Sequence, residues 1–460
     1  MLSLASILAG SFAGDVVPRV GSKPGFPPAL RPGCLAPDDQ ANLYCPGDEG
    51  YGCYKIPTIL RTRNNTLLAM IEARKNSCDD QGYVDLRLRR SFDGGKTWAP
   101  SQLVHGNSTD THWTTVGDGN MVQDKSTGII WLLHTRNNSR LFLSHSKDEG
   151  ASWTGLREVT EALKFGYPTQ NWIGTGHAGG IQLSRGASAG RLIIPTYTNT
   201  SCARPPCPVQ LCSPAVIPRT RTRTHTHALT LAAPPHPRPA DTVYSDDHGA
   251  TWHMGGTVNP TGEQRGGECQ MAETGAFAED GTPILLFSMR PPGVNKPSKR
   301  LQALSFDGGL SWGQPWEAKD LPEPIRGCDG SLVYHPVRRR RPGPRVPHLQ
   351  AHFVPTRHPL EPRLRWQGTH KLYFSHPDPF ADLFRVRLRV WTSANLGSTW
   401  EDHTVVWQQA AGYSALALLG DPDTGMENGR PVEMGVYYDR NNHTMPVFEA
   451  QEVSFKRFAA

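Results

Sequence analysis

Ser91-Phe-Asp-Gly-Gly-Lys-Thr-Trp98 is the segment on which the reading of this chain turns. It returns as Ser146-Lys-Asp-Glu-Gly-Ala-Ser-Trp153, Ser245-Asp-Asp-His-Gly-Ala-Thr-Trp252, Ser305-Phe-Asp-Gly-Gly-Leu-Ser-Trp312 and Ser393-Ala-Asn-Leu-Gly-Ser-Thr-Trp400. The shared pattern is Ser-x-Asp-x-Gly-x-Thr/Ser-Trp, with Asn395 in the aspartate place of the last copy. Successive copies start 55, 99, 60 and 88 residues apart. The two long intervals contain arginine- and proline-rich stretches, 203–240 and 335–370, and without these the intervals become 55, 61, 60 and 52. A unit of that length holds about four short strands, the content of one propeller blade.

The octapeptide has the chemistry of a hairpin turn. The segment before the first copy, Val84-Asp-Leu-Arg-Leu-Arg-Arg90, alternates with the period of two that marks a strand. The aspartate can accept hydrogen bonds from backbone N–H groups of the turn, and the glycine supplies a position of positive φ. The closing tryptophan can then pack between neighbouring blades. The pattern is the Asp-box of β-propellers, and the fold expected is all-β, a β-propeller with Asp-box hairpin turns. Asp93, Asp148, Asp247 and Asp307 are therefore read as turn residues, not as catalytic carboxylates.

Composition agrees. Among 460 residues, 46 are glycine and 40 proline, which disfavours a helical bundle and favours strands joined by turns. Apolar residues make 37% and charged residues 20%, enough for a substantial core. No apolar run reaches 18 residues, so no transmembrane segment is expected. The net charge of +6 is uneven: residues 203–240 hold five arginines and no acid, and residues 335–370 hold eight arginines against Glu361. Both stretches lack a sustained strand or helix period and read as disordered insertions. Neither carries interleaved aromatics, so no nucleic-acid partner is expected. Residues 1–45 read as a leader with a signal-like apolar start, and 46–455 as a single propeller.

Five Asn-x-Ser/Thr sequons, at Asn64, Asn107, Asn137, Asn199 and Asn442, point to the secretory pathway, with a lysosomal or extracellular destination and association with a membrane as the alternative. Cys34, Cys45 and Cys53 cluster early, and Cys202, Cys207 and Cys212 cluster in the first insertion. Their spacings do not fit zinc ligation, so they are read as disulfide candidates and no metal site is expected.

Outside the boxes, Tyr54-Lys-Ile-Pro57, Leu67-Leu-Ala-Met-Ile-Glu-Ala-Arg74 and Asp80-Gln-Gly-Tyr-Val-Asp-Leu-Arg-Leu-Arg-Arg90 run in order into the first box. Further on stand Gly174-Thr-Gly-His-Ala-Gly-Gly-Ile-Gln-Leu183, Gly190-Arg-Leu-Ile-Ile-Pro-Thr-Tyr197, Glu268-Cys-Gln-Met-Ala-Glu273, Leu286-Phe-Ser-Met-Arg290, Arg385 and Gly412-Tyr-Ser-Ala-Leu416. From about residue 50 to 445 the chain resembles the exo-α-sialidase (neuraminidase) family, and that resemblance implies a six-bladed β-propeller with Asp-box hairpin turns. That resemblance implies Asp80 as acid/base, with Asp79 as the alternative, Tyr413 as nucleophile and Glu268 as its partner base. It implies Lys55, Arg290 and Arg385 as the cations that hold the substrate carboxylate. Arg74, Glu72, Tyr197 and Asp439 join as substrate-binding or supporting residues, and His177 reads as structural in its glycine-rich loop.

The set makes chemical sense for a sialylated glycan. Sialic acid carries a carboxylate on its anomeric carbon, which calls for fixed cations aimed at one point. The same carboxylate would repel an aspartate or glutamate nucleophile, whereas a tyrosine stays neutral until a base takes its proton. Tyrosine, two carboxylates and the cations complete a retaining hydrolysis, so no cofactor is implied. The resemblance therefore implies a retaining exo-α-sialidase acting on glycoproteins, oligosaccharides or gangliosides. The alternatives are a transsialidase, a catalytically weakened sialic-acid-binding propeller, and an Asp-box propeller that binds proteins.

Three positions depart from the family pattern. Lys55 replaces an arginine, keeping the charge but losing the planar two-donor fork. Asp439 replaces a glutamate, and Ala415 replaces an aspartate beside the nucleophile. Lys55 and Asp439 read as a coupled change, a shorter acid facing a differently shaped cation.

Overall fold

A computed structural model describes residues 39–106, 112–163, 170–200, 240–258, 266–291, 298–324, 327–337, 365–366, 369–379, 385–419, 426–427, 430–431, 433–440 and 452–460. The described chain is all-β apart from one 3-10 turn at Asp48–Gly50. Its strands pair into antiparallel blades of four main strands in chain order, with the short strands Ile181–Gln182 and Arg365–Trp366 added to the third and fourth. The first blade is Cys53–Arg61, Leu67–Arg74, Val84–Ser91 and Gln102–His105, and the second is Val116–Gln123, Ile130–Arg136, Arg140–Ser146 and Thr154–Glu158. The third runs from Gln170–Thr175 through Leu192–Thr200 and Ala240–Ser245 to His253–Thr257. The fourth contains Cys269–Phe277, Pro283–Met289, Ser298–Ser305 and Trp316–Glu323.

A seven-stranded sheet contains the last two blades. They share the long strand Glu401–Leu419, whose residues up to Ala410 pair with Val386–Ser393 while those from Ala411 pair with Glu433–Arg440. Ser331–Val337 and Thr369–Pro377 complete the fifth blade. Glu452–Ala459 and Gln40–Tyr44 complete the sixth, so the N-terminal strand closes the ring on the last one.

Six apolar cores, one at each blade-to-blade junction, hold the ring together. Leu67, Ile71 and Tyr54 of the first blade pack with Tyr437 and Phe455 of the sixth, and Leu68 and Met70 pack with Met121 and Leu132 of the second. The remaining junctions are built in the same way. Each box tryptophan packs against the core between its own blade and the preceding one: Trp98, Trp153, Trp252, Trp312 and Trp400. Trp98, for example, meets Phe455 edge to face at 5.1 Å.

The boxes form as the octapeptide predicts. Asp93 Oδ1 accepts from the Ser91 hydroxyl at 2.8 Å and from the Thr97 N–H at 2.9 Å, and Gly95 sits at φ 84°. Asp148, Asp247 and Asp307 repeat these contacts. At Asn395 the Oδ1 contacts are kept, and the amide Nδ2 donates to Thr399 Oγ1 at 2.8 Å. In the other boxes the Thr or Ser hydroxyl donates to the carboxylate, so the polarity of that bond is reversed.

Two boundaries drawn from sequence need correction. Gln40–Tyr44, assigned to the leader, is a propeller strand whose Tyr44 is fully buried. It pairs with a segment at the far end of the chain, a contact that local pattern cannot reveal. The second insertion is also shorter than 335–370: the strand Ser331–Val337 enters it, and Arg365–Trp366 and Thr369–Pro377 pair at its end. Residues 338–364, most of the first insertion and residues 1–38 lie outside the described residues.

Candidate active site

Five of the innermost strands break register, and three of these breaks fall beside candidate site residues. The first breaks register between Lys55 and Thr58, the second between Gly117 and Asn120, and the long shared strand between Ala411 and Ser414. Each irregularity re-aims a side chain, as β-bulges near binding sites do. They carry Lys55, Asp118 and Tyr413 respectively. Ile56 pays for the first with φ 60°, a left-handed conformation unusual for a β-branched residue. Ile56, Cys328 and Tyr413 form a small apolar cluster apart from the six interblade cores.

Tyr413 is buried at 7% exposure, and its hydroxyl donates to Glu268 Oε1 at 2.7 Å. Arg290 Nη1 donates to Tyr413 Oη at 3.1 Å and to Glu268 Oε2 at 2.5 Å. Burial raises the Glu268 carboxyl, but Arg290 and then His177 outweigh it and hold the group at about 2. Glu268 is therefore ionised, and its Oε1 accepts from the Tyr413 hydroxyl. Burial and the Glu268 charge push the Tyr413 phenol up, while Arg290 and Arg385 pull the other way. The Arg385 guanidinium lies 5.2 Å from the Tyr413 ring centre and donates through Nε and Nη2 to the Gly327 carbonyl.

Lys55 is almost wholly buried, opposite Glu72 in the strand register. Burial lowers its ammonium to about 8, against the attraction of Asp439, and Arg74 and Arg385 lower it further. Asp439 is buried too, and is raised by that burial to about 6 despite Lys55 and Arg385. Its approach depends on Gly412, where a Cβ would stand 2.5 Å from Asp439 Oδ1.

Arg74 organises the other side. Its Nε and Nη2 donate to Glu72 Oε2 at 3.1 and 2.7 Å, and its Nη1 reaches Asp80 Oδ1 at 3.0 Å. The Asp80 side chain is 73% exposed, in contrast with the buried Tyr413–Glu268 pair. The loop that carries it is tied to the first inner strand by a Cys53–Cys78 disulfide, and Arg74 Nη1 also donates to the Cys78 carbonyl at 2.6 Å.

The structure thus brings Lys55, Arg74, Arg385, Asp80 and Asp439 into electrostatic reach of one another, and Glu268, Arg290 and Tyr413 into direct contact. Tyr197 is buried on the second strand of the third blade, with its ring against Gly174. Sequence reasoning missed Asp118 and Asp329, which flank His177, and left His177 as a loop residue. Its signal was present only as a histidine inside a glycine-rich turn. The disulfide was missed as a pair because Cys78 stands outside both cysteine clusters.

The fold and this centre define a BNR-type β-propeller with a tyrosine–carboxylate pair surrounded by cations. The chain belongs to the family described as BNR repeat-like domain, whose model matches residues 65–426. Its similarities within that class are to sialidases. It is 30% identical to human Sialidase-4 over 339 residues, 69% of this chain and 61% of that protein. It is 28% identical to mouse Sialidase-3 over 406 residues, 80% of this chain and 85% of that one. Among solved structures it superposes on Hadza microbial sialidase Hz136 with a TM-score of 0.64 at 20% identity, covering 91% of this chain and 68% of that chain.

Proposed function

We propose that the protein is a retaining exo-α-sialidase that releases terminal sialic acid from glycoproteins, oligosaccharides or gangliosides, with Tyr413 as nucleophile. The observation that carries this reading is the 2.7 Å hydrogen bond from the Tyr413 hydroxyl to an ionised, buried Glu268, with cations on either side. Lys55, Arg290 and Arg385 hold the substrate carboxylate. Tyr413 Oη attacks the anomeric carbon as its proton passes to Glu268, and the glycosidic C–O bond breaks. Asp80 protonates the departing oxygen, for which its exposed position is suited. Asp80 then takes a proton from water, which attacks the anomeric carbon. The Tyr413 oxygen leaves and recovers its proton from Glu268, and two inversions give net retention.

Secretory localisation belongs to the same proposal and is supported by the Cys53–Cys78 disulfide, since such bonds persist in oxidising compartments. Among the described residues no helix is long and apolar enough to cross a membrane.

A second reading, a weakened sialic-acid-binding propeller, is favoured by one observation: a lysine at position 55, whose charge is less secure than an arginine's. Release of 4-methylumbelliferone from its α-sialoside, beside a Tyr413→Phe control, separates the two. Release that the control abolishes supports the sialidase. Folded protein that binds sialic acid without release supports the binding propeller. Transfer of sialic acid to lactose in preference to water would identify a transsialidase.

A further inference from the structure

His177 lies behind the nucleophile, on the loop that leaves the first strand of the third blade. Its ring meets the Tyr413 ring edge to face, with centroids 5.3 Å apart and an interplanar angle of 89°. Both ring nitrogens face carboxylates: Nε2 lies 2.9 Å from Asp118 Oδ1, and Nδ1 lies 2.9 Å from Asp329 Oδ2. Asp329 Oδ1 accepts from Arg300 Nη2 at 3.1 Å and from the Gly330 N–H at 2.8 Å, which leaves Oδ2 as the acceptor that faces His177. Its Oδ2 also accepts from the His177 backbone N–H at 3.3 Å. A proton therefore sits on Nδ1.

At the other nitrogen one proton lies between Nε2 and Asp118. Burial raises the Asp118 carboxyl to about 6. Burial also disfavours the imidazolium, but the hydrogen bonds and charges of Asp118 and Asp329 outweigh it and lift His177 well above its ordinary value, so the proton stays with the imidazole. Asp118 Oδ2 has no hydrogen-bond partner among the described residues, so the imidazolium is the main compensation for that buried charge. Facing this group are Tyr413 and Glu268 from the substrate side, Glu72 behind Asp118, and Arg300 behind Asp329.

We propose that His177 is a positioning residue for the nucleophile: clamped as an imidazolium between Asp118 and Asp329, it forms a rigid wall that aims the Tyr413 phenol at Glu268. Loss of the shared proton from this pair would leave Nε2 and Asp118 as two facing acceptors, only the Nδ1 bond would remain, and the ring could turn. The Tyr413 ring would then lose the edge-to-face contact that holds its hydroxyl in line. The proposal rests on the sialidase reading for the consequence in turnover, and on the two-carboxylate clamp for the protonation state.

The test has two arms. Selective 15N-histidine labelling of the full chain, with His177→Gln to assign the signal, reads the ring directly. Both nitrogens of His177 should stay protonated from about pH 5 to pH 8, well above the ordinary imidazole pKa of about 6.5. A titration to the neutral ring inside that range overturns the clamp, whatever the enzyme does.

In the second arm, His177→Gln should lower kcat on the methylumbelliferyl sialoside by about 10–100-fold, with KM changed far less, because the group lost orients rather than binds. Should that variant fail to fold, Asp118→Asn keeps the shape and removes one counter-charge. Its alkaline limb of kcat should then move to lower pH, which loss of packing alone would not cause. Unchanged kcat in His177→Gln, or an unmoved limb in a folded Asp118→Asn, refutes the positioning role. An inactive wild type instead refutes the sialidase reading on which that role depends, while the labelling arm still reports on the clamp.

Discussion

Raising the pH should weaken the hold of this protein on a sialoside carboxylate through Lys55, and replacing Lys55 by arginine should remove most of that dependence. Burial lowers the ammonium from 10.5 to about 8, with Asp439 opposing. Below that pH the side chain is charged and contributes to anion binding. Above it the amine is neutral, and one charge-assisted contact is lost. Such a contact is worth about 1.5–3 kcal/mol, which converts to roughly 10–100-fold in affinity. The dissociation constant should therefore climb by up to about tenfold per pH unit above pH 8 and then level off once that contact is gone. A guanidinium stays charged through the same range. Calorimetric titration with a sialoside in a Tyr413→Phe background reads affinity without turnover. A flat profile between about pH 6 and pH 10, or the same climb in Lys55→Arg, refutes Lys55 as the cause.

Three further outcomes follow from the same geometry. Asp80→Asn should lower kcat by about 10²–10⁴-fold on substrates whose leaving group needs protonation, and much less on the methylumbelliferyl sialoside; equal losses on both would remove Asp80 as the acid. Asp307→Ala in the fourth Asp-box removes a carboxylate bound by the Ser305 and Ser311 hydroxyls and the Ser311 N–H, and should cost about 1–3 kcal/mol in urea unfolding while KM is unchanged; a shift in KM would contradict the structural role of the boxes. Lys55→Arg should lower kcat/KM when Asp439 is retained and recover it with Asp439→Glu, since the two positions face each other; loss that the second change does not reverse would break the coupling.

Much of the fold was legible because its determinants are local. Each Asp-box is closed by bonds within eight residues, from Ser91 to Trp98 and at the four later copies, so the sequence carries the turn complete. The spacing of those turns, once the arginine-rich stretches were set aside, predicted the blade length. What local pattern could not supply were pairings across the chain. The strand Gln40–Tyr44 has little character of its own and becomes a strand by pairing with Glu452–Ala459. Cys78 pairs with Cys53 across 25 residues and so ties the Asp80 loop to the inner strand.

The candidate site divides in the same way. Glu268, Arg290, Arg385 and Tyr413 could be named from motif and order, because the type of side chain states what chemistry it can do. Whether they meet was decided by bulges at Lys55, Asp118 and Tyr413 and by the absence of a Cβ at Gly412. The charges on them were decided there too: Lys55 and Asp439 are drawn toward neutrality by burial, while Glu268 is kept ionised by Arg290. His177 shows the division most sharply, for its two carboxylate partners stand 59 and 152 residues away in sequence. By itself the sequence determined the turns, the blade repeat and the kinds of reactive group, since these depend on neighbours along the chain. Only the tertiary structure decided their distances and protonation states, because a Coulomb interaction and a desolvation cost depend on neighbours in space.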